Sequence, residues 1–400
     1  MDLPDNETTM ASKDKNEIIK GMFKVMMESL MEGERTALLG YGKHDYRGYG
    51  TPNSRNGYYQ RDLLTGLGDL KDLNIPRDRL GEFTPELLDK YQKATKPMDS
   101  LIVSLYGKGL TTRDIEDVIK NIYGCDLSPQ YVSNLTKETE EERIAWQKRK
   151  LKPRYTAIFI DALFVKIRRE TVSSDAVYVI AGIDDQGYRD ILGIYFGAEE
   201  SASYWRQILT EIKDRGCLEV LLFVADGLTG LQQVINEVYP RALTQLCVVH
   251  QIRDTLNQVR PFHREAVAAD LRTIYKSKTA QDAKQKTLEV KARWLPHYPK
   301  LFNRWLDQLD NLMQFLVFPE YLHPHLYSNN WIERLNKDFR KVLKNKNSFP
   351  TENSVANLLY LKIRDITRTR ENQRVNGFVQ YQIDLNFLWE KYYGDRKETN

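Results

Sequence analysis

The chain has 400 residues, more than one typical hydrophobic core takes, so two or three domains are expected. A hydrophobic share of 41% and an aromatic share of 11% are those of an ordinary soluble protein, and three irregularly spaced cysteines (Cys125, Cys217, Cys247) exclude a disulfide framework. No apolar stretch has transmembrane length and the polar N-terminus has no signal-peptide pattern, so a soluble, cytoplasmic protein with no membrane partner is expected.

In chain order, residues 1–15 are polar and are expected to be disordered. Ile18–Glu32 carries apolar residues at helical spacing and predicts one helix. The stretch Gly40–Tyr59, rich in Gly, Tyr and basic residues, reads as an irregular loop, with short strands near Leu67–Leu73. Thr84-Pro85-Glu86 has the N-cap, early Pro and early acid of a helix start, and residues 84–146 read as three or four helices. Within them, a capped helix over Leu110–Ile119, a turn at Tyr123-Gly124 and a helix opening at Ser128-Pro129 have the pattern of a helix-turn-helix, with a plain helical hairpin as the alternative. A charged linker helix is expected over Glu138–Lys152.

From residue 155 the pattern changes to strands. Tyr155–Asp161, Phe164–Thr171, Ala176–Asp184 and Tyr188–Phe196 favour β structure, with a hairpin turn at Asp184-Asp-Gln-Gly187. A helix over Ser201–Arg215, a buried strand over Leu218–Ala225, a helix over Leu228–Val238 and a strand over Leu243–Val249 complete an α/β sheet of five or six strands. Residues 251–327 break the alternation with helical periodicity and so read as an all-α insertion. Helices follow from Glu333 to about Lys344 and over Asn353–Arg370.

Three acids stand out. Asp161 and Asp226 each close an unbroken apolar run, and this topology sets their strands side by side. Glu333 lies on a helix crowded with basic residues. Neighbouring strand-end carboxylates repel unless cations sit between them, and Mg²⁺ is held by one or two carboxylates plus substrate phosphate oxygens. Two such ions about 3.5–4 Å apart suit phosphoryl transfer, with Mn²⁺ as a substitute. Net charge is only +4, but basic residues cluster at Lys148–Arg154, at Arg334, Lys337, Arg340, Lys341, Lys344 and Lys346, and at Arg364, Arg368, Arg370 and Arg374. Such clusters around a carboxylate site point to a polyanion. Cys247-Val-Val-His250, with His323-Pro-His325 later, invites a zinc reading. The second half lacks cysteine, so the favoured reading is an active-site neighbour whose imidazole orients a phosphate or carboxylate.

These residues form ordered motifs: Phe159-Ile-Asp161-Ala162 with Lys166-Ile-Arg168, Ala225-Asp226-Gly227, Cys247-x-x-His250, and Asn330-x-x-Glu333-Arg334-Leu335-Asn336. With Arg55-Asn56-Gly57-Tyr58 and Ile75-Pro-Arg77-Asp-Arg79 upstream, the chain resembles the IS256 family of bacterial insertion-sequence transposases, relatives of the Mutator elements, over roughly residues 50–370. The resemblance implies an RNase H-like α/β catalytic core with an all-α insertion domain, preceded by helical DNA-binding domains including the helix-turn-helix. The expected layout is an N-terminal helix and end-contacting region (1–83), the helix-turn-helix domain and linker (84–150), core (151–250), insertion (251–327), core with the catalytic Glu helix (328–375) and a C-terminal tail (376–400).

It implies Asp161, Asp226 and Glu333 as the metal-binding DDE triad and Cys247 and His250 as its neighbours. Contacts to double-stranded DNA (terminal inverted repeats, flanks and target) are expected from Arg55, Asn56, Arg77, Arg79, Gln130, Ser133, Lys166, Arg168, Arg334, Lys337, Arg340 and Lys341. A Trp of the insertion, Trp294 or Trp305, is a candidate for stacking on a flipped base, with burial in the insertion core as the plainer alternative. The implied activity is end cleavage and strand transfer by a homodimer or larger synapse, through a copy-out, paste-in route with a circular intermediate. An RNase H-like nuclease or resolvase without strand transfer, or a DNA-binding regulator with an inactive core, are the alternatives. One departure from the family pattern is Asp254 after Arg253, where Asn is expected.

Overall fold

The computed structural model describes residues 6–88, 92–124, 126–168, 172–197, 201–327, 330–344, 346, 348–370, 374–375 and 378–394. Cys125, Ser328, Asn329 and the end of the expected strand at 169–171 lie outside them. Two compact units divide at Glu138/Thr139, within a helix.

The first unit opens with helix α1 (Asn6–Leu39), which begins well inside the segment expected to be disordered. An antiparallel hairpin follows, β1 (Arg55–Thr65) and β2 (Gly68–Asp78). This corrects the loop reading of residues 55–59, and β2 covers the short strands expected near Leu67–Leu73. The outer half of β1 is exposed and so lacks an apolar alternation, which hides it in the sequence. Phe23, Met27 and Met31 of α1 pack on Leu63, Leu70, Leu73 and Ile75 of the hairpin. Arg35, only 2% exposed, donates to the carbonyls of Gly57 (2.9 Å) and Arg77 (2.8 Å) and to Glu32 (2.6 Å), so this buried guanidinium is fixed by both strands.

No helix starts at Thr84; a turn occupies residues 86–88 instead. The helices of this stretch are α2 (Lys96–Gly107), α3 (Thr112–Tyr123) and α4 (Pro129–Lys148). A reciprocal capping box between Thr111 and Asp114 starts α3, and Gly124 ends it in the left-handed region at φ 68°. The two helices expected over 128–135 and 138–152 are one continuous α4.

In the second unit, β3 (Arg154–Arg168), β4 (Val172–Asp184) and β5 (Arg189–Gly197) run antiparallel, whereas β6 (Glu219–Ala225) and β7 (Leu243–Leu246) run parallel to β3. The sheet order is β5-β4-β3-β6-β7. Helix α5 (Ala202–Asp214) carries the crossover to β6, and α6 (Leu231–Val238) leads to β7. On one face Ile158, Ile160, Tyr178, Ile180 and Phe223 pack against Trp205, Ile208, Leu209 and Ile212 of α5 and Val234 and Ile235 of α6. Tyr155–Asp161 and Phe164–Arg168, expected as two strands, are one: beyond Asp161 the inward side chains Leu163, Val165 and Ile167 keep the period of two.

After β7 the described chain is helical: α7 (Val248–Gln258), α8 (Arg264–Tyr275), α9 (Ala280–Trp294), α10 (Pro299–Asp307), and short α11 (Leu309–Leu312) and α12 (His323–Leu326). Helices α13 (Asn330–Leu343), α14 (Glu352–Arg370) and α15 (Gln382–Tyr393) close the unit. Residues 382–393 are thus a docked helix rather than a free tail: the Tyr393 hydroxyl donates to the Val220 carbonyl of β6 at 2.7 Å. No described helix is long and apolar enough to cross a membrane.

Candidate active site

The last paired rungs between the parallel strands are Ile160↔Ala225 for β3–β6 and Ala225↔Leu246 for β6–β7. The next residue on each strand is one of the expected site residues: Asp161, Asp226 and Cys247. The Cys247 amide still donates to the Ala225 carbonyl at 2.9 Å, so the three positions sit side by side at one end of the sheet. Asp161 lies within β3, paired with Val179 on the β4 side, and not at a strand end. Asp226 follows β6 directly, with Gly227 behind it.

Period-two alternation puts Asp161 on the same face as Phe159, opposite the α5/α6 face. There Phe159 meets Trp331 edge-on, with ring centroids 5.9 Å apart, so α13 is the helix covering this face. Ile332, Leu335, Phe339 and Val342 are its buried stripe. That docking carries two polar residues inward. Asn336, fully buried, donates through Nδ2 to Asp161 Oδ2 at 2.6 Å, while the Ala162 amide donates to Oδ1 at 3.0 Å. Glu333, three residues earlier and on the same side of the helix, accepts from Arg253 at 3.1 Å and lies 3.2 Å from His250 Nε2.

His250, in the first turn of α7, lies between two acids, its Nδ1 against Asp226 Oδ1 and its Nε2 on Glu333. Burial pulls its pKa down, but Asp226 and then Cys247 outweigh that and hold it at about 11. Asp161 is only 5% exposed; burial first, and the nearby Asp226 charge second, push its carboxyl up to about 6. His250, for which an orienting role toward a phosphate or carboxylate was expected, touches two carboxylates, Asp226 and Glu333. Sequence reasoning missed Arg253 and the role of Asn336, whose only signal was its place in the Glu333 motif.

The expected DNA contacts divide. Arg334, Lys337, Arg340 and Lys341 form the solvent face of α13, and Lys166 and Arg168 are exposed on β3, Arg168 on Ser348 at 3.1 Å. In the first unit Asn56, Arg77, Arg79 and Gln130 are exposed and Ser133 is half-buried. Arg55 differs: its guanidinium turns inward to Glu32, Thr36 (2.8 Å) and the Tyr41 carbonyl (2.8 Å), where it ties the hairpin to α1. Both Trp candidates are core residues. Trp294 is 7% exposed and donates to Asp270 at 2.7 Å, and Trp305 is fully buried and donates to Thr255 at 2.8 Å. Their rings and N–H groups are already engaged, so neither offers a face to a base.

The geometry defines a class: a mixed α/β protein with carboxylates at adjacent in-register positions of a sheet and a third on a covering helix. Comparison with known proteins narrows it. The model of the family described as "Transposase, Mutator family" matches residues 2–371. The chain is 34% identical to the transposase for insertion sequence element IS905 of Lactococcus lactis, over 94% of this chain and 96% of that one. It is 35% identical to the probable transposase for an ISRM3-like element of Sinorhizobium fredii (89% and 90% covered), and 28% identical to the transposase for IS256 in transposon Tn4001 of Staphylococcus aureus (88% and 90%). Among solved structures, the Drosophila P element transposase strand transfer complex aligns with 72% of this chain and 84% of that one at a TM-score of 0.28 and 11% identity, too loose a match to assign a fold. The chain belongs to the Mutator family of transposases and is of the IS256 type.

Proposed function

We propose that the protein is a DDE transposase with an RNase H-like core that binds the inverted repeats of its own insertion sequence, cleaves the ends and joins them to new DNA. The observation that carries this reading is the register: Asp161 and Asp226 are each one step beyond the last paired rung of adjacent parallel strands, under the helix that bears Glu333.

The donor set fits hard divalent cations. All three residues offer carboxylate oxygens, the donors Mg²⁺ and Mn²⁺ take, and Asp161 is a buried acid beside a second carboxylate, Asp226, so it gains from a cation between them. Asp161, Asp226 and Glu333 would hold two ions, which supply an activated water and charge stabilisation at the phosphodiester. Asn336 holds the Asp161 carboxylate in one orientation. His250 and Arg253 hold Glu333 until metal and DNA compete for it. The exposed basic face of α13 and Lys166 on β3 bind the phosphate backbone beside the reacting bond. The helix-turn-helix of α3 and α4 contacts the terminal repeats, and two protomers pair the two ends. A copy-out, paste-in route through a circle follows from the kinship with IS256-type relatives.

The test is to incubate the protein with its own element ends and Mg²⁺ or Mn²⁺, then map cut and joined strands. Nicking at the ends, followed by joining of a precleaved 3′ end, is expected. Asp161→Asn, Asp226→Asn and Glu333→Gln should each abolish both while end binding persists. Nicking without joining would favour the nuclease alternative, and nicking unaffected by these substitutions would remove the triad.

A further inference from the structure

Cys247, His250 and Asp226 meet in a way the triad does not require. One ligand atom from each (Sγ, a ring nitrogen and a carboxylate oxygen) lies within 4.8 Å of the other two. The sequence argued against a soft-metal site because His323-Pro-His325 brings no cysteine. In the fold the third donor is Asp226, set beside Cys247 by the β6–β7 register. His323 is engaged elsewhere, on the Phe318 carbonyl at 2.7 Å.

We infer that these three side chains form a binding site for a borderline-soft divalent cation of the zinc type, which overlaps the Mg²⁺ site through Asp226. The inference rests on the triad reading for that overlap alone. Three features support it. Thiolate and imidazole donors select zinc over magnesium, which takes oxygen. Asp226 Oδ1 and His250 Nδ1 abut each other and Cys247 also bears on His250, so an ion entering among them replaces contacts that the three donors make with one another. The other ring nitrogen, Nε2, faces Glu333 at 3.2 Å, the carboxylate–histidine arrangement that fixes a metal-binding imidazole in orientation and tautomer. Binding sends the thiol proton and any Nδ1 proton to solvent and leaves a fourth position for water.

The experiment titrates the full-length protein, without DNA, with Co²⁺ as a spectroscopic substitute for zinc. One equivalent should bind with a thiolate-to-cobalt charge-transfer band, and Zn²⁺ but not excess Mg²⁺ should displace it. Cys247→Ser should abolish the band, and Glu333→Gln should keep it while weakening binding about 10–100-fold. A wild-type protein without the band, or a band unchanged in Cys247→Ser, would overturn the site. If circular dichroism shows Cys247→Ser unfolded, His250→Gln and Asp226→Asn replace it, and either one binding cobalt as wild type does would also overturn it. The two readings fail separately: cobalt binding needs no DNA, so loss of the triad assignment in the nicking assay leaves this result standing.

Discussion

At the scale of single residues, two buried polar groups make different kinds of prediction. Asn336 touches Asp161 but would not touch DNA, so it acts by holding a carboxylate still. Asn336→Ala should slow Mg²⁺-dependent nicking by about 10–100-fold and leave end binding unchanged in a gel-shift assay. Asp184, in the β4–β5 turn, is 4% exposed and accepts from the Gln186 and Tyr188 amides at 2.9 and 2.8 Å, both through Oδ1. Burial raises its pKa, so the folded state prefers the neutral form. The stability of that form is complete below the unfolded value of about 3.9 and is lost as pH rises through the folded value. Asp184→Asn keeps the acceptor without the charge. Its melting temperature relative to wild type should therefore rise from about pH 4 upward and then level off; a gain that shrinks with pH would contradict this. Asp161 and Asp226 were legible in the sequence because each interrupts an apolar run. Arg253 and the hydrogen bond from Asn336 were not, since both depend on where a distant helix docks.

At the scale of elements, α13 joins a sheet-facing apolar stripe to a basic outer face, and on the proposed function this links catalysis to phosphate binding within one amphipathic segment. If Lys337 and Lys341 each neutralise a phosphate, the double substitution to Ala should reduce the slope of log affinity against log salt by about 0.9 for each phosphate left without its lysine. Measuring end binding across a salt series checks this, and an unchanged slope would place the DNA elsewhere. β6 was readable as an unbroken apolar run because it is buried on both faces, and the amphipathic helices because burial on one face writes a period into the chain. The β1–β2 hairpin was not, because its outer half is exposed. Thr84 misled for the converse reason: the local cap signals are present, but residues 86–88 form a turn that buries Leu88 against the hairpin.

At the scale of the whole molecule, the acids come together only through segments distant in sequence. The β3–β6 pairing joins residues some sixty apart, and α13 completes the site roughly a hundred residues after Asp226, so assembly depends on non-local closure. That order has a consequence during synthesis. At about 5–20 residues per second, roughly 5–20 s separate the emergence of Asp226 from that of Glu333. Throughout that interval Asp161 has no Asn336 to hold it, and no third carboxylate exists. On the proposed function, a chain whose α13 has not yet emerged, or one truncated before it, is inert however well its sheet has formed. Competence on that reading begins only once α13 has emerged and docked.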